Sequence, residues 1–154
     1  MSCDRLTKKK ETQKNINYKG VYTMNHPEIG AKATRQLTVT KDQLASSVGS
    51  GTVDVFATPM VAALMEGAAC DLAARYIEDI YTTVGSEICV QHLCPTAEGV
   101  TVTAEAELTK VDGRFFEFKL TATDHAGVIA TGTHTRVSVK KESFAKKALD
   151  RKLQ

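Results

Sequence analysis

Between Thr58 and Cys70 the chain carries one charged residue, Glu66, directly after the apolar run Pro59-Met60-Val61-Ala62-Ala63-Leu64-Met65. Burying an unpaired carboxylate costs several kcal/mol or forces its pKa upward. A carboxylate kept in such a run has a partner or a task, unless it sits at a helix edge and reaches water. The task that suits it is that of a general base or nucleophile near neutral pH. His92 shares a strand face with Val84, Ile88 and Val90. Alone, a histidine on an apolar face reads as a core residue; facing the same cavity as a helix carboxylate, it reads as a catalyst. Thr58 precedes Pro59, which makes it a good helix N-cap with proline at the first helical position. Its hydroxyl would also lie at the positive end of a helix dipole, where a developing oxyanion is stabilised. Eight residues separate Thr58 from Glu66, about 12 Å along a helix at roughly 1.5 Å per residue. One straight helix cannot gather both into a compact triad. Either they touch different ends of a substrate, or a second subunit completes the site, and both options favour an active site at a dimer interface. Arg136 alternates with His134 in the last strand-like segment, and reads as a phosphate or carboxylate binder or as a surface arginine. His26 and His125 lie in an entry segment and a turn and carry less weight.

The elements that must position these groups follow from periodicity. Arg35–Thr40 alternates as a strand, Lys41–Ser46 allows one helical turn, and Val48-Gly49-Ser50-Gly51-Thr52 is a flexible glycine loop. From Thr58 a single long helix is expected, ending near Tyr81, with Val61, Leu64, Met65, Ala68, Leu72, Ala73 and Tyr76 at helical spacing. Small residues fill its other sides, so its first half is expected to be buried all round. Four strands follow: Thr83–Cys94, Val100–Val111, Arg114–Asp124 and Val128–Val139. Asp112-Gly113 marks a hairpin. Val100, Val102, Ala104, Ala106 and Leu108 should face inward, as should Phe116, Phe118, Leu120 and Ala122. One buried helix among antiparallel strands must be wrapped by their sheet. The expected class is α+β, a hot-dog fold with one long buried helix wrapped by a curved antiparallel β-sheet.

The chain has 154 residues, enough for one domain with a real core. Residues 1–24 hold six Lys/Arg against two acids, residues 136–154 seven against two, and the middle seven against fourteen. The ends are basic and the body acidic. The polar segment 1–24 reads as a disordered basic extension, with Met24 as a candidate start; 25–140 is the domain, and 141–154 a basic tail or short helix. Basic ends allow nucleic-acid contact, solvated tails, or contact with the phosphates of a ligand such as coenzyme A. Solvated tails are the expected reading, with no nucleic-acid and no membrane partner. Cys3, Cys70, Cys89 and Cys94 form no CxxC pair, so no metal site is expected, and Cys70 and Cys89 read as buried thiols. The absence of a signal peptide then points to a reducing, cytoplasmic compartment. No apolar run approaches the roughly 20 residues of a membrane span. GxGxxG, P-loop, GxSxG and HExxH motifs are absent, which argues against nucleotide cradles, elbow-type serine hydrolases and zinc hydrolysis.

The segment Val55-Phe56-Ala57-Thr58-Pro59-Met60-Val61-Ala62-Ala63-Leu64-Met65-Glu66 resembles the helix-opening motif of the fluoroacetyl-CoA thioesterase-like hot-dog proteins. Gly85 followed by His92, and Gly132-Thr133-His134-Thr135-Arg136, match the same pattern. The resemblance spans roughly residues 28–140. It implies a homodimeric acyl-CoA thioesterase with Thr58, Glu66 and His92 as catalytic residues. Gly85 would allow close approach beside the thioester, Phe56 and Arg136 would face the ligand, and no cofactor is needed beyond the coenzyme A of the substrate. Glu66 would attack the thioester carbonyl or activate water, His92 would shuttle protons, and Thr58 would orient these groups. The family's fluoroacetyl-specific enzyme carries phenylalanines in the segment before the helix, as a lid. Here that segment is Val48–Thr52, without an aromatic, so thioester chemistry is implied but fluoroacetyl specificity is not. Two rival readings share the fold. An enoyl-thioester hydratase would want its carboxylate and histidine close in one segment, whereas Glu66 and His92 are 26 residues apart. A non-catalytic acyl-CoA binding module would bind without turnover.

Overall fold

A computed structural model describes residues 26–152. The elements run β1 (Lys32–Thr38), a 3₁₀ turn (Lys41–Gln43), α1 (Ala45–Val48), α2 (Thr58–Ala74), β2 (Tyr81–His92), β3 (Thr101–Asp112), β4 (Phe115–Asp124), β5 (Gly127–Lys140) and α3 (Lys141–Lys152). The five strands form one antiparallel sheet in the order β1-β3-β4-β5-β2. The expected α+β, hot-dog arrangement of one main helix on an antiparallel sheet is what forms. The expectation for residues 1–24 lies outside the described residues.

The core is the seam between α2 and the sheet. Strict alternation on β3 and β4 sends Val102, Ala104, Ala106, Leu108, Phe116, Phe118, Leu120 and Ala122 under the helix, where all are buried. Val61, Leu64, Met65, Ala68, Leu72 and Ala73 of α2 close over them. Each fully buried large side chain contributes about 1.5–3 kcal/mol. A polar tie fixes α2 against β1: the Arg35 guanidinium donates to both carboxylate oxygens of Asp71, at 2.9 and 2.7 Å. That guanidinium lies flat on Gly67, where a Cβ would stand 2.3 Å from Nη1. Only glycine leaves room for the tie.

Three expectations need correction. α2 ends at Ala74, not near Tyr81. The run Tyr81-Thr82-Thr83-Val84 is rich in strand-forming residues, and it pairs with Lys140–Val137 of β5, which draws the chain into the sheet. α2 is also not covered all round: Pro59 and Ala63 are exposed, and Ala62, Glu66 and Cys70 are only half-buried. Finally, β2 is an edge strand. Its residues Ser86–Cys89 are exposed, Ile88 among them at 37%, so the apolar face shared with His92 is not a buried face and Cys89 is not a buried thiol. Period-two alternation does not reveal whether a strand lies inside a sheet or at its rim. Among the described residues no helix is long and apolar enough to cross a membrane.

Candidate active site

α2 begins after the N-cap residue Ala57, so Thr58 is the first helical residue and not the cap. Its hydroxyl does not turn back on the helix amides. It meets Nδ1 of His92, the last residue of β2, at 2.8 Å. The pair stands at the positive end of the α2 dipole, in a cleft of about 280 Å³ lined by the loop before α2 and by the segment after β2. Ala45, Val55, Leu93 and Pro95 give the cleft apolar walls, and Phe56, Ser50 and Cys94 complete it. Phe56 is fully buried, so it serves as fixed wall and not as an exposed lid. The other imidazole nitrogen, His92 Nε2, is buried and has no hydrogen-bond partner among the described residues. Leaving such a group unsatisfied costs about 1–3 kcal/mol.

Glu66 sits two turns further along α2, in a different neighbourhood. Its side chain is 43% exposed, so it is not the carboxylate sealed in apolar surroundings that the local sequence suggests. Oε1 accepts from Nη1 of Arg136 at 3.2 Å and lies 3.7 Å from Nε2 of His134. It also presses on β2 at Gly85, where a Cβ would stand 2.3 Å from that oxygen. β2 changes register against β5 between Gly85 and Glu87, and Arg136 lies directly opposite Gly85. Arg136 is buried; Nε donates to the Thr83 hydroxyl at 2.8 Å and Nη2 to the Thr83 carbonyl at 2.7 Å, while Nη1 also lies 3.1 Å from Nε2 of His134.

Within the chain, then, the residues singled out from sequence fall into two clusters. Thr58, His92 and Phe56 line the cleft, while Glu66, Gly85 and Arg136 meet across α2, β2 and β5. Sequence reasoning missed Thr83, and named His134 only as the strand neighbour of Arg136, without a role. The signal for both was available, since Thr83, His134 and Arg136 all lie on inward positions of paired strands. His134 Nδ1–H donates to the Glu87 carbonyl at 2.6 Å. Burial pushes the His134 imidazole below its usual value, and the neighbouring Arg136 cation adds to that; the Glu87 bond and Glu66 oppose it. Cys94, which lines the cleft, and Cys89 are exposed, and Cys70 is half-buried.

Residues 39–142 match the model of the family described as fluoroacetyl-CoA-specific thioesterase, FlK. The fluoroacetyl-CoA thioesterase of Streptantibioticus cattleyicolor is 40% identical over 91 residues, 59% of this chain and 66% of that enzyme. A crystal structure of an FlK variant in complex with fluoroacetate and CoA superposes with a TM-score of 0.72 at 32% identity, over 76% of this chain and 98% of the other. A thioesterase superfamily member from Thermus thermophilus matches at 25% identity with a TM-score of 0.75, over 84% and 95% of the two chains.

Proposed function

The chain belongs to the fluoroacetyl-CoA-specific thioesterase family, and on that premise we propose that it hydrolyses a small acyl-CoA thioester to the free acid and CoA. In this reading the protein works as a homodimer. Thr58 and His92 of one protomer and Glu66, Gly85 and Arg136 of the other share each active site.

The observation that carries the reading is the Thr58–His92 hydrogen bond at the helix N-terminus, with the far side of the imidazole left without a partner among the described residues. A group from a second chain or a bound substrate is what such an arrangement lacks. Two features support a second copy. β2 presents an unpaired strand edge, which solitary sheets usually protect. On α2, Pro59 and Ala63 are exposed and Ala62 and Glu66 only half-buried, and small side chains there permit close approach.

The chemistry is acyl transfer to water. The nucleophile that adds to the thioester carbonyl is a water oxygen with Glu66 as base, or the Glu66 carboxylate itself; in the second case loss of the thiolate leaves an anhydride, which water then hydrolyses. The tetrahedral oxyanion is stabilised by the α2 dipole and the Thr58 hydroxyl. The C–S bond then breaks, and the leaving thiolate takes its proton through His92. No cofactor is required beyond the CoA carried by the substrate. Arg136 fixes the Glu66 carboxylate by a charge-assisted bond. The acyl pocket differs from a lidded one, because Val48–Thr52 brings no aromatic to the cleft. A reducing cytoplasm suits the free thiols Cys70, Cys89 and Cys94.

The test is free-thiol release from short, branched and aromatic acyl-CoAs, on the wild type and on Glu66→Ala. Turnover of one class that collapses in the variant is the expected result. No turnover of any acyl-CoA by a folded dimer overturns the proposal and leaves a binding module. Single-turnover hydrolysis in H₂¹⁸O places the label in Glu66 only if an anhydride forms and water attacks it at the Glu66 carbonyl, so label in Glu66 identifies the covalent route.

A further inference from the structure

His134 lies below the proposed reaction site. Its side chain is 1% exposed. Its two ring nitrogens meet opposite kinds of partner. The Glu87 carbonyl, 2.6 Å from Nδ1, can only accept, so Nδ1 carries the proton. The Arg136 guanidinium, 3.1 Å from Nε2, can only donate, so Nε2 offers a lone pair. Both contacts are satisfied by one neutral tautomer and by no other protonation state. The ring is further held by Phe118 on β4, with centroids 6.3 Å apart.

The carbonyl that anchors the ring is not an arbitrary one. Glu87 is where the β2–β5 register shifts, one residue past Ser86, and Gly85 stands on the other side of that irregularity. A Cβ on Gly85 would come within 3.1 Å of the His134 ring as well as 2.3 Å of Glu66 Oε1. The imidazole thus joins the bulge that shapes the Gly85 gap to the guanidinium that holds Glu66.

We propose that His134 is a positioning residue of the active site: its neutral ring, anchored to the bulge carbonyl, holds the Arg136 guanidinium, and through it the Glu66 carboxylate, at a fixed place beside Gly85. This inference rests on the thioesterase reading for its kinetic arm and is independent of it in its spectroscopic arm. Thr83 secures Arg136 from one side through Nε and Nη2. Nη1 alone spans His134 and Glu66. Without the imidazole acceptor, Nη1 keeps one partner, and the carboxylate can swing with it toward solvent. Protonating the ring would have a similar effect, because two donors would then face each other.

The kinetic arm compares wild type, Glu66→Ala, His134→Phe and His134→Gln in the full chain. Phenylalanine keeps the ring volume and removes both hydrogen bonds. We expect kcat to fall about 100-fold with KM changed little, the scale of a displaced catalytic group. Glutamine, which can both donate and accept, recovers part of it. In an Arg136→Met background, His134→Phe should have almost no further effect. An unchanged kcat in a folded His134→Phe, or a full effect in the Arg136→Met background, overturns the inference. If the wild type turns over no acyl-CoA and Glu66→Ala equals it, the thioesterase reading has failed, and the second arm decides alone. That arm is ¹⁵N NMR of the histidine side chains in the wild type. His134 should be the Nδ1–H tautomer and stay neutral below pH 6.5. An Nε2–H tautomer, or a charged ring at pH 7, overturns the inference whatever the activity.

Discussion

The two ends of the candidate site are built differently. At the Thr58 end a single hydrogen bond links helix to strand, Thr58 is exposed, and His92 Nε2 has no partner among the described residues. At the Glu66 end the polar groups are densely connected: Arg136 contacts Glu66, His134 and both the hydroxyl and carbonyl of Thr83. The closed cluster is organised by one chain alone. The open one is left with a group to satisfy. A preorganised network holds the reacting carboxylate in place before its charge changes, and an open contact is most useful where a proton must come and go.

The sharpest way to break that contrast is to neutralise the closed end. Glu66→Gln keeps the shape and one acceptor oxygen for Arg136, so the fold should persist. Thiol release should nevertheless fall about 10³- to 10⁴-fold, the upper range for losing a base or nucleophile. A residual rate within tenfold of wild type would make Glu66 a structural partner of Arg136 and nothing more. At the open end, Thr58→Ala and His92→Ala should each cost about 100-fold in kcat/KM, and the double variant little more than the worse single one. Additive losses would show that the 2.8 Å contact is not used as a unit.

A third variant tests the packing between the clusters. Gly85→Ala places a methyl group where Glu66 Oε1 now lies, 2.3 Å away. The backbone has no positive φ there, so the penalty is purely one of contact, about 1–3 kcal/mol for overpacking. Thermal melting should show that loss, with a fall in activity as the carboxylate is displaced. Adding Glu66→Asp withdraws the oxygen by one methylene and should restore stability without restoring activity. If the double variant melts no higher than Gly85→Ala alone, the His134 ring, 3.1 Å from that methyl position, and not the carboxylate, is what the methyl group strikes.

How much of this was legible in the sequence differs between the same two regions. Thr58, Glu66, Gly85, His92 and Arg136 were visible by residue type and by family resemblance, and β3 and β4 by strict alternation. The environment of Glu66 was not. A lone acid in an apolar run suggests an unpaired buried carboxylate, but its partner Arg136 is 70 residues away. Pairing of that kind is set by the register between β2 and β5 and by one bulge. The same bulge, with the edge position of β2, misled the reading of the His92 face, because alternation assumes an unbroken phase and does not report which strands lie at the rim. His134 was passed over since nothing local distinguishes a buried neutral histidine from any other inward residue. Arg136 stands two residues further along the same strand, but the Glu87 carbonyl that fixes the ring comes from β2, placed by its register with β5.

The smallest expected effect concerns stability, and it separates the clusters without any substrate. The folded state holds His134 below the ordinary value of 6.5, chiefly through burial and then through the Arg136 cation, against the pull of the Glu87 carbonyl and Glu66. In the unfolded chain the same imidazole takes up a proton as pH drops through about 6.5. Below that pH the unfolded state binds more protons than the folded one, so stability must fall with falling pH, and the slope persists until pH reaches the lowered folded value. Above about 6.5 the contribution is present in full. Urea unfolding of the wild type and of His134→Gln between pH 7.5 and 5 should therefore show a difference in slope confined to the region below about 6.5, with the steeper loss in the wild type. Equal slopes would mean that the ring is as easily protonated folded as unfolded, and the closed cluster would then owe nothing to a neutral histidine.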